Sequence, residues 1–263
     1  MDEKYSFGIV GVGPTGGILA AHLARAGHNI YLIDINKSYM DVVKKNGLTI
    51  THLKNFQAKF PKENIFYSLE EFKNKDVDAL FIAVKASRLY DVLPKIKKHM
   101  KPDTIVISVQ NGFDTEELIA EYVGINNSMR IVVNYAGNLI EDGIIRMSFF
   151  NPPNYLGVLT PEAEEKAKKI AEIINSAELE TLFTKDIKKY EWTKCILNTI
   201  SPVCVTTRTT MKQTLGLNDT RDICREVLRE GIEVARARGL YFEPDFLDHC
   251  MDYLDKAGHH RVS

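Results

Sequence analysis

A chain of 263 residues with 44% hydrophobic side chains is long enough for two modest domains, each with a buried core. With 34 basic and 35 acidic residues and no long block of like charge, nothing points to a polyanionic partner, and no nucleic-acid ligand is expected. ALFIAV at 79–84 is far too short to cross a bilayer, and MDEKYS lacks the basic, apolar and small-residue parts of an export signal, so a cytoplasmic protein without a membrane partner is expected. In chain order, the runs FGIVGV, NIYLID, ALFIAV and TIVISV alternate with helical patterns, which predicts a parallel sheet with helices on both faces. Glycine and proline then punctuate 128–160 (RIVVNYAG, EDGIIRMSFF, NPPNYLGVL), which reads as strands joined by turns, an edge extension of that sheet. A helix is expected from Pro161 through EAEEKAKKIAEIINSA, followed by strand character in ELETLFTK.

Beyond about Asp186 the pattern changes. KKYEWTKCILNTI, DTRDICREVLREGIEVARARG and PDFLDHCMDYLDKAG carry apolar residues at helical spacing. The predicted organisation is α/β: a domain built on the parallel sheet over 1–185, then an all-helical domain over 186–263. Long amphipathic helices often pair, which favours a homodimer over a monomer. Cys195, Cys204, Cys224 and Cys250 form no C-x-x-C pair, so neither zinc nor a disulfide framework is indicated, and reduced thiols in or near the core are expected.

The densest signal is FGIVGVGPTGGILAAHLARAGHNIYLID at 7–34. A buried strand leads into Gly11, which permits a tight turn; Gly13 lets backbone approach a ligand; Gly16 lets the next helix lie close on the strand. Pro14 and Thr15 open that helix, where a missing proline N–H costs nothing. Leu19, Leu23 and Ala26 are expected to line one face before Gly27 ends it. The free N–H groups of the helix start suit a pyrophosphate. Asp34 falls at the end of the second strand, where a carboxylate accepts hydrogen bonds from an adenosine ribose diol and repels a 2′-phosphate. NAD(H) is therefore favoured, while Asn36 and Lys37 leave NADP(H) open. FAD proteins and nucleotide sensors use the same fingerprint, so the second half of the chain must decide.

In YEWTKCILNTISP, Lys194 and Asn198 are four apart and share one helix face, while Trp192, Cys195, Ile196 and Ile200 point elsewhere and can pack. A lysine beside a ketone oxygen stabilises developing alkoxide and donates the proton; a solitary lysine on a helix is also the commonest kind of solvated residue. FIAVKASRLYDVLPKI at 81–96 and VISVQNGFDTEELI at 107–120 each put polar residues directly after a buried strand, at the carboxyl edge where open α/β sheets bind ligands. Lys85 and Asn111 are thereby placed to meet cofactor or substrate. His259 and His260, beside Arg261, point to different sides of a helix, so no metal site is assigned. The threonines of VTTRTTMKQT read as a polar, helix-breaking loop, with Arg208 as its one candidate substrate contact.

Taken together, GVGPTG, VKA, QNG, W-x-K-x-x-x-N and a helical end running into GHHRVS resemble, in that order and over essentially the whole chain, the ketopantoate reductase family (2-dehydropantoate 2-reductases). The resemblance implies a Rossmann domain followed by a helical domain of the 6-phosphogluconate-dehydrogenase-like kind, with substrate and nicotinamide meeting in the cleft between them. It implies reduction of a 2-oxo acid, ketopantoate, to pantoate in pantothenate and CoA biosynthesis. By the same resemblance Lys194 is the general acid, Asn111 positions the reacting groups, Lys85 lines the cofactor cleft, Asn198 contacts substrate, and Ser263 matches a serine that binds the substrate carboxylate.

Three departures from the family pattern bear on these expectations. Family members normally continue past Ser263 through a segment carrying a functional glutamate, so the helical domain is read as incomplete at its C-terminus. Ser201 stands before Pro202 where the family usually has a second asparagine, which makes it a substrate-pocket candidate. Asp34 occupies a position near which familiar members carry a basic residue for NADPH. The alternatives are a non-catalytic nucleotide-binding regulator and a related oxidoreductase acting on a different oxo or hydroxy acid.

Overall fold

The computed structural model describes residues 4–73 and 75–257. Two compact units divide after Ile187. The first begins with β1 (Ser6–Val10), α1 (Pro14–Arg25), β2 (Asn29–Ile33), α2 (Lys37–Asn46), β3 (Leu48–His52), β4 (Phe56–Ala58) and β5 (Ile65–Phe66). It continues with β6 (Ala79–Ile82), α3 (Leu89–His99), β7 (Ile105–Ser108), α4 (Thr115–Val123), β8 (Ser128–Val132), β9 (Tyr135–Glu141), β10 (Ile144–Phe150), β11 (Asn154–Val158), α5 (Glu164–Ser176) and β12 (Thr181–Thr184).

The main sheet has the order β12-β11-β8-β7-β6-β1-β2-β5. The strands from β5 to β8 are all parallel, and in chain order they fall into the doubly wound sequence 3-2-1-4-5-6. The chain reverses direction across the sheet between β1 and β6, where ligands of this architecture bind. Alternation of side chains decides the two cores: Phe7, Ile9, Phe81 and Ile107 face one, Val10, Leu80, Ile82 and Val106 the other.

The expected edge extension over 128–160 is only half right. β8 joins the parallel set and β11 runs antiparallel beside it. β9 and β10 instead leave to form a separate four-stranded sheet, β4-β3-β10-β9. That sheet packs on the far side of α1, so Gly16 through Leu23 are all buried. A Cβ on Gly16 would lie 2.1 Å from the Gly11 carbonyl oxygen, and one on Gly17 would lie 2.4 Å from Ile145 Cδ1. The glycine pair lets one helix sit tightly between two sheets. Ala26 is exposed rather than core-facing, because α1 ends at Arg25 and Ala26 is already its C-cap.

The second unit contains most of α6 (Ile187–Asn198), α7 (Ser201–Thr207), α8 (Met211–Gly216), α9 (Asn218–Ala237) and α10 (Phe246–Ala257). Trp192, Ile196 and Ile200 pack with Cys224, Leu228, Ile232 and Ala235 of α9 and with Cys250, Met251 and Leu254 of α10. Spacings of three and four place each set on one helix face. Cys204, Cys224 and Cys250 are buried and Cys195 half-buried, all as free thiols. Among the described residues no helix is long and apolar enough to cross a membrane.

Candidate active site

The loop after β1 is built for close backbone approach. Gly11 has φ +91°, a conformation that disfavours any side chain, and a Cβ there would stand 2.8 Å from the Val84 nitrogen. Its N–H donates to the Ile33 carbonyl at 2.9 Å, tying the ends of β1 and β2 together. Gly13 is extended and caps α1 without a side chain, and a Cβ on it would meet nothing within 4 Å. Pro14 takes the first helical turn, and the Gly17 N–H bonds back to the Gly13 carbonyl at 2.7 Å. The first-turn N–H groups of Thr15 and Gly16 have no partner within the helix by its own geometry. An open approach at Gly13, free donors and the positive end of a helix fit a pyrophosphate.

Asp34 reaches back to this loop. Its Oδ2 accepts from the Val12 N–H at 2.8 Å, and its Oδ1 accepts from the Asn36 N–H at 3.0 Å. The Tyr39 hydroxyl donates to the Val12 carbonyl at 2.8 Å, so both peptide groups of that residue are held. Burial, and next the Asp34 carboxylate, push the Tyr39 hydroxyl well above the ordinary phenol range, so it stays a donor. Tyr135 of β9 donates to the Thr15 carbonyl at 3.2 Å. Neither tyrosine is signalled by the glycine fingerprint; both come from elements whose place only the fold reveals. Asn36 uses its side-chain oxygen to cap α2, accepting from the Tyr39 N–H at 3.3 Å, while Lys37 is exposed. Ile35, between Asp34 and Asn36 in the chain, is 76% exposed.

Lys85 and Asn111 stand at the same edge of the sheet. Lys85 is exposed and opens the short 3-10 turn Ala86–Arg88, just after the Val84 backbone that borders Gly11. Asn111 is exposed in the turn between β7 and α4; a Cβ on its neighbour Gly112 would lie 4.0 Å from Ala86 Cβ. Gly11, Gly13, Pro14, Thr15, Gly16, Asp34, Lys85 and Asn111 therefore share one carboxyl edge of one unit.

The remaining candidates belong to the helical unit. Lys194 is half-buried and Asn198 exposed, one turn apart on α6, while Trp192 and Ile196 point into the core. The Arg238 guanidinium lies over the Trp192 ring at 5.9 Å. α6 ends at Asn198 because Pro202 has no N–H to give the Asn198 carbonyl. Ser201, half-buried, opens α7 with that proline behind it. The threonine stretch is less loop-like than expected: Thr206 and Thr207 lie in α7, and Thr210 forms a capping box with Gln213 at the start of α8. Arg208, exposed at φ +57°, is the left-handed cap of α7. Ser263, His259, His260 and Arg261 lie outside the described residues.

Comparison with known proteins agrees with this layout. The family model "Ketopantoate reductase PanE/ApbA" matches residues 7–160, and its C-terminal companion matches 186–263. A 2-dehydropantoate 2-reductase of Streptococcus pyogenes serotype M3 is 24% identical over 257 residues, covering 97% of this chain and 82% of that protein. One from Pyrococcus abyssi is 25% identical over 250 residues, 94% of this chain and 79% of the relative. Among solved structures, 2-dehydropantoate 2-reductase from Geobacter metallireducens superposes with a TM-score of 0.86 at 21% identity, over 98% of this chain and 85% of that one. D-mandelate dehydrogenase with NADH and anilino(oxo)acetate gives 0.86 at 24% identity, over 98% and 83%. Two models of one family, in the family's own order, account for both halves of the sequence, and the chain belongs to the ketopantoate reductase family.

Proposed function

We propose that the protein reduces 2-dehydropantoate to pantoate with a nicotinamide cofactor, NADH in preference to NADPH. The observation that carries the reading is the gathering of the glycine loop, Asp34 and the Lys85 and Asn111 turns at one carboxyl edge of the sheet, in a chain matched by both family models. Bound reduced nicotinamide supplies a hydride to the carbonyl carbon. Lys194, as an ammonium, donates the proton that the carbonyl oxygen takes as it becomes a hydroxyl, and the lysine recovers that proton from water. Asn111 orients the reacting groups with its carboxamide, Lys85 borders the cofactor, and Asn198, Ser201 and Ser263 bind substrate. Asp34 accepts from the ribose diol, and Ile35 offers the adenine an apolar face.

The same reading takes the protein as a cytoplasmic homodimer, supported by exposed Ile223 and Val234 on α9. The test follows the loss of NADH and NADPH absorbance with ketopantoate, phenylglyoxylate and other 2-oxo acids, using the full-length protein. Turnover of ketopantoate is expected. Tight NADH binding without reduction of any oxo acid would leave the non-catalytic regulator standing, and a stronger preference for another acid would reassign the substrate.

A further inference from the structure

We propose that Arg130, paired with Glu116 beneath the turn between β7 and α4, is a positioning residue: it sets the backbone of 110–114 and, through it, the carboxamide of Asn111. This inference rests on the reading of Asn111 as a site residue. Arg130 is 2% exposed and Glu116 1%. Removing two charges from water costs several kcal/mol for each ion, and a well-packed apolar pair would fill the same space with less loss. The pair must therefore do something that an apolar pair cannot.

Its geometry says what. Arg130 lies on β8 in register with Ser108, the last residue of β7, and points along the sheet toward the carboxyl edge. Nη1 donates to Thr115 Oγ1 and Ser108 Oγ and faces Glu116 Oε2 at 3.5 Å. Nη2 donates to the Gly112 carbonyl at 3.1 Å, which fixes the turn's backbone directly. Glu116 sits in the first turn of α4, itself pinned by the Ser128 hydroxyl on the Glu116 carbonyl at 2.6 Å. On the other side of Asn111, Ser108 Oγ donates to Gln110 Oε1 at 2.6 Å. Asn111 is thus the exposed residue between two anchored neighbours.

The turn needs such anchoring. Gly112 has φ +123° and Asp114 φ +58°; a left-handed non-glycine residue persists only where its surroundings over-determine it. Gln110 Nε2 is buried without a hydrogen-bond partner among the described residues, which is a loss of stability. A network selected for stability alone would not tolerate that loss; one selected to fix a loop would.

Removing Arg130 alone would leave the Glu116 charge buried, so the decisive variant is Arg130→Met/Glu116→Leu, which removes both charges at similar volume. Its melting temperature and NADH affinity should stay near the parent's, while kcat with ketopantoate falls at least about tenfold at nearly unchanged KM, the scale of a misplaced reacting group. In an Asn111→Ala background the same pair of changes should lower kcat no further. A parental kcat in the paired variant, or an equal fall in both backgrounds, overturns the inference. Arg130→Lys, which keeps one charge and one donor for the Gly112 carbonyl, should give an intermediate kcat with full NADH binding. If the paired variant does not fold, a parental kcat in Arg130→Lys is the refuting result. A parent that reduces no oxo acid would sink the proposed function and leave this inference to hydrogen exchange. Amides of 111–114 should then exchange at least about tenfold faster in the paired variant, with those of Ile105–Ser108 unchanged. Unchanged exchange at 111–114 overturns the inference.

Discussion

Replacing Asp34 by alanine should weaken the protein and its cofactor choice together, and the two effects can be read separately. An ionised carboxylate has about four lone-pair sites. Two are taken by the Val12 and Asn36 N–H groups, which leaves about two for the paired hydroxyls of a ribose. Val12 is fully buried, so its N–H loses an acceptor that water cannot replace, at about 1–3 kcal/mol. Asn36 is exposed, and its N–H is rehydrated. For a unit of this size that loss lowers the melting temperature by about 2–12 °C. On the cofactor side, hydrogen bonds to a charged group are worth about 1.5–3 kcal/mol each, so NADH should bind at least about tenfold more weakly. NADPH should lose nothing, because a phosphate carrying about −1.5 to −2 charges no longer faces a carboxylate. Asp34→Asn, with one acceptor oxygen for two N–H groups, should fall between. Fluorescence titration with both cofactors measures the ratio and thermal melting the stability. A parent that binds NADPH as tightly as NADH, or an alanine variant with the parental ratio, would refute the reasoning.

Lys194→Ala should lower turnover by about two to four orders of magnitude, the usual loss for a general acid, with NADH affinity nearly unchanged in titration; retention of most activity would remove this lysine from the mechanism. Gly16→Ala and Gly13→Ala should separate packing from binding: the first drives a methyl against the Gly11 carbonyl and costs about 1–3 kcal/mol in denaturant unfolding. The second enters open space, costs no more than about 1 kcal/mol as a cap change, and still weakens NADH. His22 gives a pH prediction. Its Nδ1 must carry the hydrogen donated to the Ala177 carbonyl at 2.8 Å, Nε2 is buried without a partner among the described residues, and burial holds its pKa below the usual histidine value. The unfolded chain then binds the extra proton first, so the contribution of His22 is intact above about pH 6.5 and is lost as pH falls below it. The melting temperature should drop less between pH 7 and 5 in His22→Asn, which supplies a donor without the titrating ring; an equal drop would discharge His22 from that role.

The glycine loop was legible because each glycine reports a local backbone need, and Asp34 because its distance from the loop is fixed by one helix and one strand. Lys85 and Asn111 followed from the rule that polar residues after buried strands collect at the carboxyl edge. The second sheet was not legible. Its strands β3 and β10 pair in parallel although they come from distant parts of the chain, and no short-range pattern announces such a pairing. For the same reason the sequence assigns Gly17 no use of its own; the atom that requires it is Ile145 Cδ1. Arg130 reads as an ordinary charge at the start of a strand until Glu116 is found beneath the neighbouring turn.

The two edges of the candidate site use one physical device. At the nucleotide end, Asp34 and Tyr39 hold the N–H and carbonyl of Val12; at the Asn111 turn, Arg130 holds the carbonyl of Gly112. In each case a polar side chain binds loop backbone, and the backbone in turn presents the group that would meet ligand. Each loop is short and joins a buried strand to a helix, β1 to α1 at Val12 and β7 to α4 at Gly112, so such a contact transmits position with little slack. Exposed residues such as Lys85 and Asn111 should then fail by losing a contact, whereas Tyr39 and Arg130 should fail by moving one. The first kind of change leaves loop exchange rates alone and the second raises them, which makes hydrogen exchange the measurement that tells a contacting residue from a positioning one in this fold.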